Sequence, residues 1–231
     1  MPQGIEVEDN LPSSDLVAPK FIEGELKYAE GVLGPSRFPV HLIKLEYAQG
    51  QPHTKIDDEN GAYTITLSRQ PEEFAYQGQL GHEVGHLLNP YLYDPYVEGL
   101  NTVIAEHYLK SGQMDWSPWQ QYLANSDTTE QRFYGSTYRM MTEVWAAAGP
   151  EYIRTILSFG VPTRHRKDVL HIEINDWLKT MPPDKRKLVT SKIKMFQAEV
   201  LSSMPHTGYY EFAVPFENSE NKASADAAAA K

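Results

Sequence analysis

At 231 residues, with 41% hydrophobic and 23% charged side chains, the chain has an ordinary globular composition and a length suited to one large domain or two small ones. A formal net charge of −10, from 31 acidic against 21 basic residues, argues against nucleic acid or an anionic membrane as partner. The absence of cysteine excludes disulfides and thiolate metal sites, so any metal must be held by His, Asp or Glu.

Residues 1–19 carry three prolines and several acids and read as a flexible, extended arm. Nothing in the polar, proline-interrupted start resembles a secretory leader, and no run approaches the roughly 18 apolar residues of a membrane span. A cytoplasmic protein is the expectation. Lys20–Leu33 reads as a helix closed by Gly34-Pro35. Phe38–Tyr47 and Ala62–Ser68 are strand-like. The second alternates cleanly, with Tyr63, Ile65 and Leu67 on one face and Thr64, Thr66 and Ser68 on the other. Gly50–Gly61 between them reads as a polar loop, and the two strands as a hairpin.

The remainder is mostly helical. Pro71-Glu72-Glu73 suits a first turn, and the helix is expected to run to Leu88, where Asn89-Pro90 stops it. Gly78, Gly81 and Gly85 are poor helix formers, which implies that something packs closely against this helix. Asp94-Pro95 starts the next helix, reaching about Lys110. Asp127-Thr128-Thr129-Glu130 is a capping-box pattern opening a helix closed by Gly149-Pro150. A short helix follows to Phe159-Gly160. Another is marked by Leu170, Ile174, Trp177 and Leu178, and a last long one by Val189, Ile193, Phe196 and Val200. Residues 217–231 are low-complexity and are expected to be disordered. The fold class expected is α+β: a small, mostly antiparallel sheet, then a predominantly helical part, within one domain spanning 20–216.

The most informative stretch is His82-Glu83-Val84-Gly85-His86. On a helix, residues four apart share a face, so both imidazoles can reach one metal ion from a single rigid element. Glu83, rotated about 100° from His82, can lean over a metal-bound water without joining the ligands. This is the H-E-x-x-H arrangement of zinc-dependent peptidases. A catalytic zinc commonly takes three protein ligands. The sequence after His86 lacks the Gly and His of the extended metzincin pattern, which leaves a downstream glutamate. Glu98 and Glu106 lie 12 and 20 residues after His86 on the next helix, and their faces differ by only about 80°. Spacing does not separate them; the local string Tyr96-Val97-Glu98-Gly99-Leu100 favours Glu98, because the glycine lets the metal helix approach. Asn101 and Thr102, one turn beyond, are candidates for orienting the imidazoles. His41, His53, His107, His171 and His206 show no partner spacing.

The string Gly81–Pro90, followed by Val97-Glu98-Gly99-Leu100, resembles the gluzincin-type zinc metallopeptidases of the peptidase MA clan. The similarity extends more weakly through Tyr134–Tyr138 and Ala148–Arg154, covering about residues 62–157. The resemblance implies one zinc ion held by His82, His86 and the glutamate of the Glu-Gly-Leu motif, Glu98. It also implies a substrate backbone bound along the edge of the strand before the metal helix. The link from His86 to Glu98 is shorter than in the best-known members, and in the thermolysin-like pattern the ligand falls near Glu106, which stays open as the alternative. The activity implied is hydrolysis of a peptide or protein substrate, with Glu83 as general base. Tyr134 and Tyr138, one turn apart, are candidate oxyanion donors, Tyr138 preferred, and His165 in the basic cluster 164–167 is another. The alternative reading is a catalytically silent binding or regulatory protein built on the same fold.

Overall fold

Alternating apolar side chains lay down a small sheet, and helical stripes of Leu, Ile and Val bury one face of it. A computed structural model describes residues 5–12, 14, 16–58, 60–125, 127–206 and 209–216. In chain order the elements are β1 (Glu6–Asp9), α1 (Ala18–Leu33), β2 (Leu42–Tyr47), β3 (His53–Asp58), β4 (Ala62–Leu67), α2 (Tyr76–His86), α3 (Pro95–Ser111), α4 (Ser117–Ala124), α5 (Thr129–Ala148) and α6 (Pro150–Ile153). A 3-10 turn (Ile156–Phe159), β5 (Gly160–Pro162), β6 (Leu170–Ile172), α7 (Ile174–Lys179) and α8 (Pro183–Ser203) complete them. The α+β class holds. The low-complexity stretch 217–231 lies outside the described residues.

The main sheet has the order β1-β2-β4-β3. It is mixed rather than mostly antiparallel: β1 and β4 both run parallel to β2, and only β3 is antiparallel, on β4. The hairpin expected between Phe38–Tyr47 and Ala62–Ser68 therefore does not form. Parallel neighbours need a crossover, not a tight turn. Here the supposed loop supplies it as β3. The chain leaves β2, runs along the far edge, and turns back through Gly61 (φ 102°) into the slot beside β2. A side chain at Gly61 would sit 2.4 Å from the Pro39 carbonyl, so this turn requires glycine. Strand β3 escapes sequence reading because it is an edge strand with a wet outer face: of His53–Asp58, only Thr54 is fully buried. The arm read from composition also contributes, since β1 is paired along β2 and Leu11 is buried.

Helix α1 buries Ile22, Leu26, Ala29 and Leu33, a three- and four-residue spacing that turns one stripe inward. Helix α2 begins at Tyr76 rather than Pro71. Ala75 adopts a left-handed conformation (φ 66°), which separates the turns at 71–75 from the helix. The Gln79 side chain accepts from Ser68 N and Arg69 N at 2.9 and 3.1 Å, fastening the end of β4 to the first turn of α2. Asp94 caps α3 through Val97 N at 2.8 Å, and its other oxygen accepts from Ile172 N, tying β6 to the helix start. Burial pushes the Asp94 carboxyl up to about 7, against the opposing pull of its backbone donors. The capping box of α5 pairs Thr128 with Gln131, one residue beyond the expected register. Helix α4 carries Trp119 and Leu123 inward and has no counterpart in the sequence reading. Leu170 belongs to β6, so α7 starts only at Ile174. Helices α2, α3 and α5 pack in succession, with α8 behind α5. Among the described residues, no helix is long and apolar enough to cross a membrane.

Candidate metal centre

The three glycines of α2 mark close approaches. A side chain at Gly78 would meet Trp119, one at Gly81 the Glu25 carboxyl and Ala105, and one at Gly85 the Asn101 side chain at 2.6 Å. On the other helix, Gly99 lies so close to α5 that a side chain would stand 2.1 Å from the Thr137 carbonyl. The contacts at Gly81 and Gly85 bring α2 against α3 and set His82, His86 and Glu98 face to face; Gly99, expected to admit the metal helix, instead seats α3 on α5.

The three side chains are almost fully buried, and one donor atom from each lies within 4.8 Å of the others. Glu98 Oε2 is 3.0 Å from His82 Nε2 and 3.7 Å from His86 Nε2. Ligands about 2.0–2.2 Å from a tetrahedral ion stand roughly 3.3–3.5 Å apart, so the spacing suits one divalent ion. The protonation pattern fits as well. Thr102 Oγ1 donates its single proton to the Glu98 carbonyl at 2.9 Å and must therefore accept from His82 Nδ1–H, also at 2.9 Å. With Nδ1 committed to Thr102, Nε2 is the His82 nitrogen that faces Glu98 and the one that would bind a shared cation. This buried group could hold a metal ion. Burial opposes ionisation of Glu98, but the two imidazoles outweigh it and hold the carboxyl well below its ordinary range.

Thr102 thus orients His82 as the spacing suggested. Asn101 does not do the same for His86: its side chain packs on Gly85, and neither its Nδ2 nor His86 Nδ1 has a hydrogen-bond partner. His86 is instead steadied by the Tyr93 ring, stacked at 5.6 Å and 22°. The Tyr93 hydroxyl donates to the Thr54 carbonyl on β3 at 2.8 Å.

Glu83 is buried beside these three side chains. Thr54 Oγ1 lies 2.9 Å from Glu83 Oε2 and 2.8 Å from its main-chain carbonyl, anchoring the acid to the edge strand. Burial raises the Glu83 carboxyl above its ordinary value, and the neighbouring imidazoles partly offset this. Glu83, His86 and Glu98 line a cavity of about 350 Å³, walled by residues 51–55 of the edge segment and by Tyr93, Tyr134, Tyr209 and Tyr210. A second cavity of about 250 Å³ shares Pro52, Glu83 and Tyr134 and continues past His82 toward Arg69, Gln79 and Tyr122. The two meet at Glu83.

Other sequence candidates fall elsewhere. Glu106 shares a face with Glu98, but eight residues are about 12 Å of helix, which carries it out of reach. Its carboxylate instead accepts from Tyr138 at 2.8 Å and from Lys110. Tyr138, preferred as oxyanion donor, is therefore turned to Glu106 and away from the centre. Tyr134, one turn earlier, lies edge-on to His82 at 5.5 Å, with Gln51 Nε2 donating to its hydroxyl. Its phenol is held protonated by burial next to Glu98 and Glu83. His165 is exposed and lines neither cavity. The substrate edge expected at Ala62–Ser68 is covered, because β3 lies outside it; the strand facing the cavity is β3. Thr54, Tyr93 and Tyr210 were not singled out from sequence. Tyr93 alone had a local hint, being an aromatic just beyond the metal helix.

No family model, curated protein or solved structure matches the chain, so the centre stands on its own geometry.

Proposed function

We propose that the protein is a zinc-dependent hydrolase of peptide bonds. The observation that carries this is the convergence of two imidazoles and a carboxylate on one point, with a second carboxylate, Glu83, beside them in an accessible cavity. His82 Nε2, His86 Nε2 and Glu98 Oε2 would hold the ion. Two nitrogens and one oxygen with a water-accessible side suit zinc in a hydrolytic role. When bound, such an ion supplies Lewis acidity that lowers the pKa of water toward about 7.

The chain's own residues supply the rest. Glu83 has one oxygen on Thr54 and the other free, so it can take a proton from the attacking water and deliver it to the leaving amine. Tyr134, a buried and neutral phenol on the cavity wall, is the donor best placed to compensate a developing oxyanion. As the edge strand, β3 offers backbone groups, apart from the Thr54 carbonyl held by Tyr93, along which an extended chain can add as a strand. Two cavities meeting at Glu83 support a substrate running past the centre on both sides.

Elemental analysis and a peptide-library digest with and without chelator test this reading. Glu83→Gln is expected to keep stoichiometric zinc and lose at least about 100-fold in turnover. The runner-up, a metal-binding protein without turnover, draws on Tyr209 and Tyr210, which close part of the cavity from the chain's far end. It would be favoured if the zinc-loaded wild type cleaved nothing in the library.

A further inference from the structure

The two oxygens of Glu98 are divided between two sets of partners. Oε2 faces both imidazoles, whereas Oε1 is 3.1 Å from the Tyr210 hydroxyl. An ionised carboxylate only accepts, so the phenol donates. Tyr210 is 112 residues away in sequence and arrives on a stretch, 209–216, that is neither helix nor strand. Side chains from several elements hold that stretch across the centre. Tyr96 donates to the Ala213 carbonyl at 2.7 Å, and Asn175 accepts from Phe216 N at 2.9 Å. Glu211 accepts from Arg164 N at 2.9 Å. The Tyr210 ring meets Phe133 edge-on at 5.2 Å, and the Arg166 guanidinium lies over Tyr209 at 4.4 Å. So many ties fix the phenol in place on a ligand whose geometry matters.

We propose that Tyr210 is a positioning residue of the metal centre, occupying Glu98 Oε1 so that the carboxylate presents only Oε2, and that 209–216 is the strap that delivers it. A carboxylate free to turn can offer both oxygens to one ion, changing its coordination number. The strap thus makes the end of the described chain part of the metal site. The inference rests on the metal reading above, but not on turnover.

The test uses the full chain and the metal alone. Zinc affinity is measured by competition with a chromophoric chelator for wild type, Tyr210→Phe, Glu98→Gln and the double variant. Tyr210→Phe is expected to weaken zinc binding about 10-fold. In the Glu98→Gln background it is expected to change affinity by less than about 2-fold, since the charged acceptor is gone. Loaded with cobalt(II), Tyr210→Phe is expected to lose visible d–d intensity as a four-coordinate ion becomes five-coordinate. That signature is one that simple loosening of the fold would not give. Wild-type affinity together with an unchanged cobalt spectrum would overturn the proposal. So would a gain in peptide cleavage at unchanged affinity, which would make the strap a plug. If the wild type bound neither metal, the metal reading itself would fall; if it bound both and cleaved nothing, only the hydrolase reading would.

Discussion

Replacing Thr102 by valine isolates the hydroxyl that sets the state of His82. The change nearly conserves shape at a site with no solvent exposure, and it removes one group that makes two hydrogen bonds of 2.9 Å. In the wild type, the Thr102 proton is committed to the Glu98 carbonyl, so its oxygen accepts from His82 Nδ1–H and leaves Nε2 as the nitrogen that would bind the metal. Valine ends that bias. The His82 proton can then move to Nε2, where Glu98 Oε2 waits at 3.0 Å, and that pairing competes directly with the metal. Metal binding must reverse it and leave Nδ1–H buried without a partner, since His82 is only 3% exposed. An unsatisfied buried donor costs about 1–3 kcal/mol, or roughly 5- to 150-fold in affinity. Zinc competition should therefore show Thr102→Val binding about 10- to 100-fold more weakly, with Thr102→Ser close to wild type. Circular dichroism and a thermal melt of the metal-free proteins check that the fold is intact. Affinity of Thr102→Val within about 2-fold of wild type would refute the tautomer argument.

Two further predictions concern the scaffold. Gly99→Ala places a methyl 2.1 Å from the Thr137 backbone carbonyl, forcing α3 off α5; denaturant unfolding should show a loss of about 3 kcal/mol or more. Gly31→Ala, where nothing lies within 4 Å, is the control and should gain about 0.5–1 kcal/mol. Glu25 is fully buried behind Gly81, neither oxygen has a hydrogen-bond partner, and burial raises its carboxyl well above the ordinary value. The folded state therefore binds this proton more tightly than the unfolded chain, so stability falls as pH rises from the unfolded pKa, near 4.3, toward the folded one. Glu25→Gln removes that dependence, so melts at pH 5 and pH 8 should lie closer together in the variant than in wild type. Equal spacing in both proteins would contradict it.

The group that could hold a metal ion was partly legible because the spacing of its histidines is local. His82 and His86 share a helix face by number alone, and the glycines of α2 correctly announced close packing. Glu98 needed a judgement that spacing could not supply: angle favours neither glutamate, and distance along the axis decides. The same geometry separates Tyr134 from Tyr138. One helical turn leaves both on one side of α5, but the earlier residue meets His82 and the later one Glu106. Strand β3 was hidden because an edge strand with a wet face carries little apolar alternation. The parallel pairing of β2 with β4 was hidden for another reason: alternation reports which face is buried and not which neighbour is beside it. Tyr210 had no signal at all, since nothing in 209–216 repeats or caps, and its meaning comes from what it touches.

The centre is assembled over two very different contour lengths. His82 and Glu98 are 16 residues apart, joined by one short connection between helices, whereas Tyr210 and Glu98 are 112 apart. Loop-closure entropy grows with the logarithm of that separation, so tethering Tyr210 costs roughly 2 kcal/mol more than closing the chelate itself. The grouping that could hold an ion is thus inexpensive and intrinsic to a helical hairpin. Its fine adjustment comes from a distant stretch whose docking must be supported by Tyr96, Asn175 and Arg164, so the two can be altered independently.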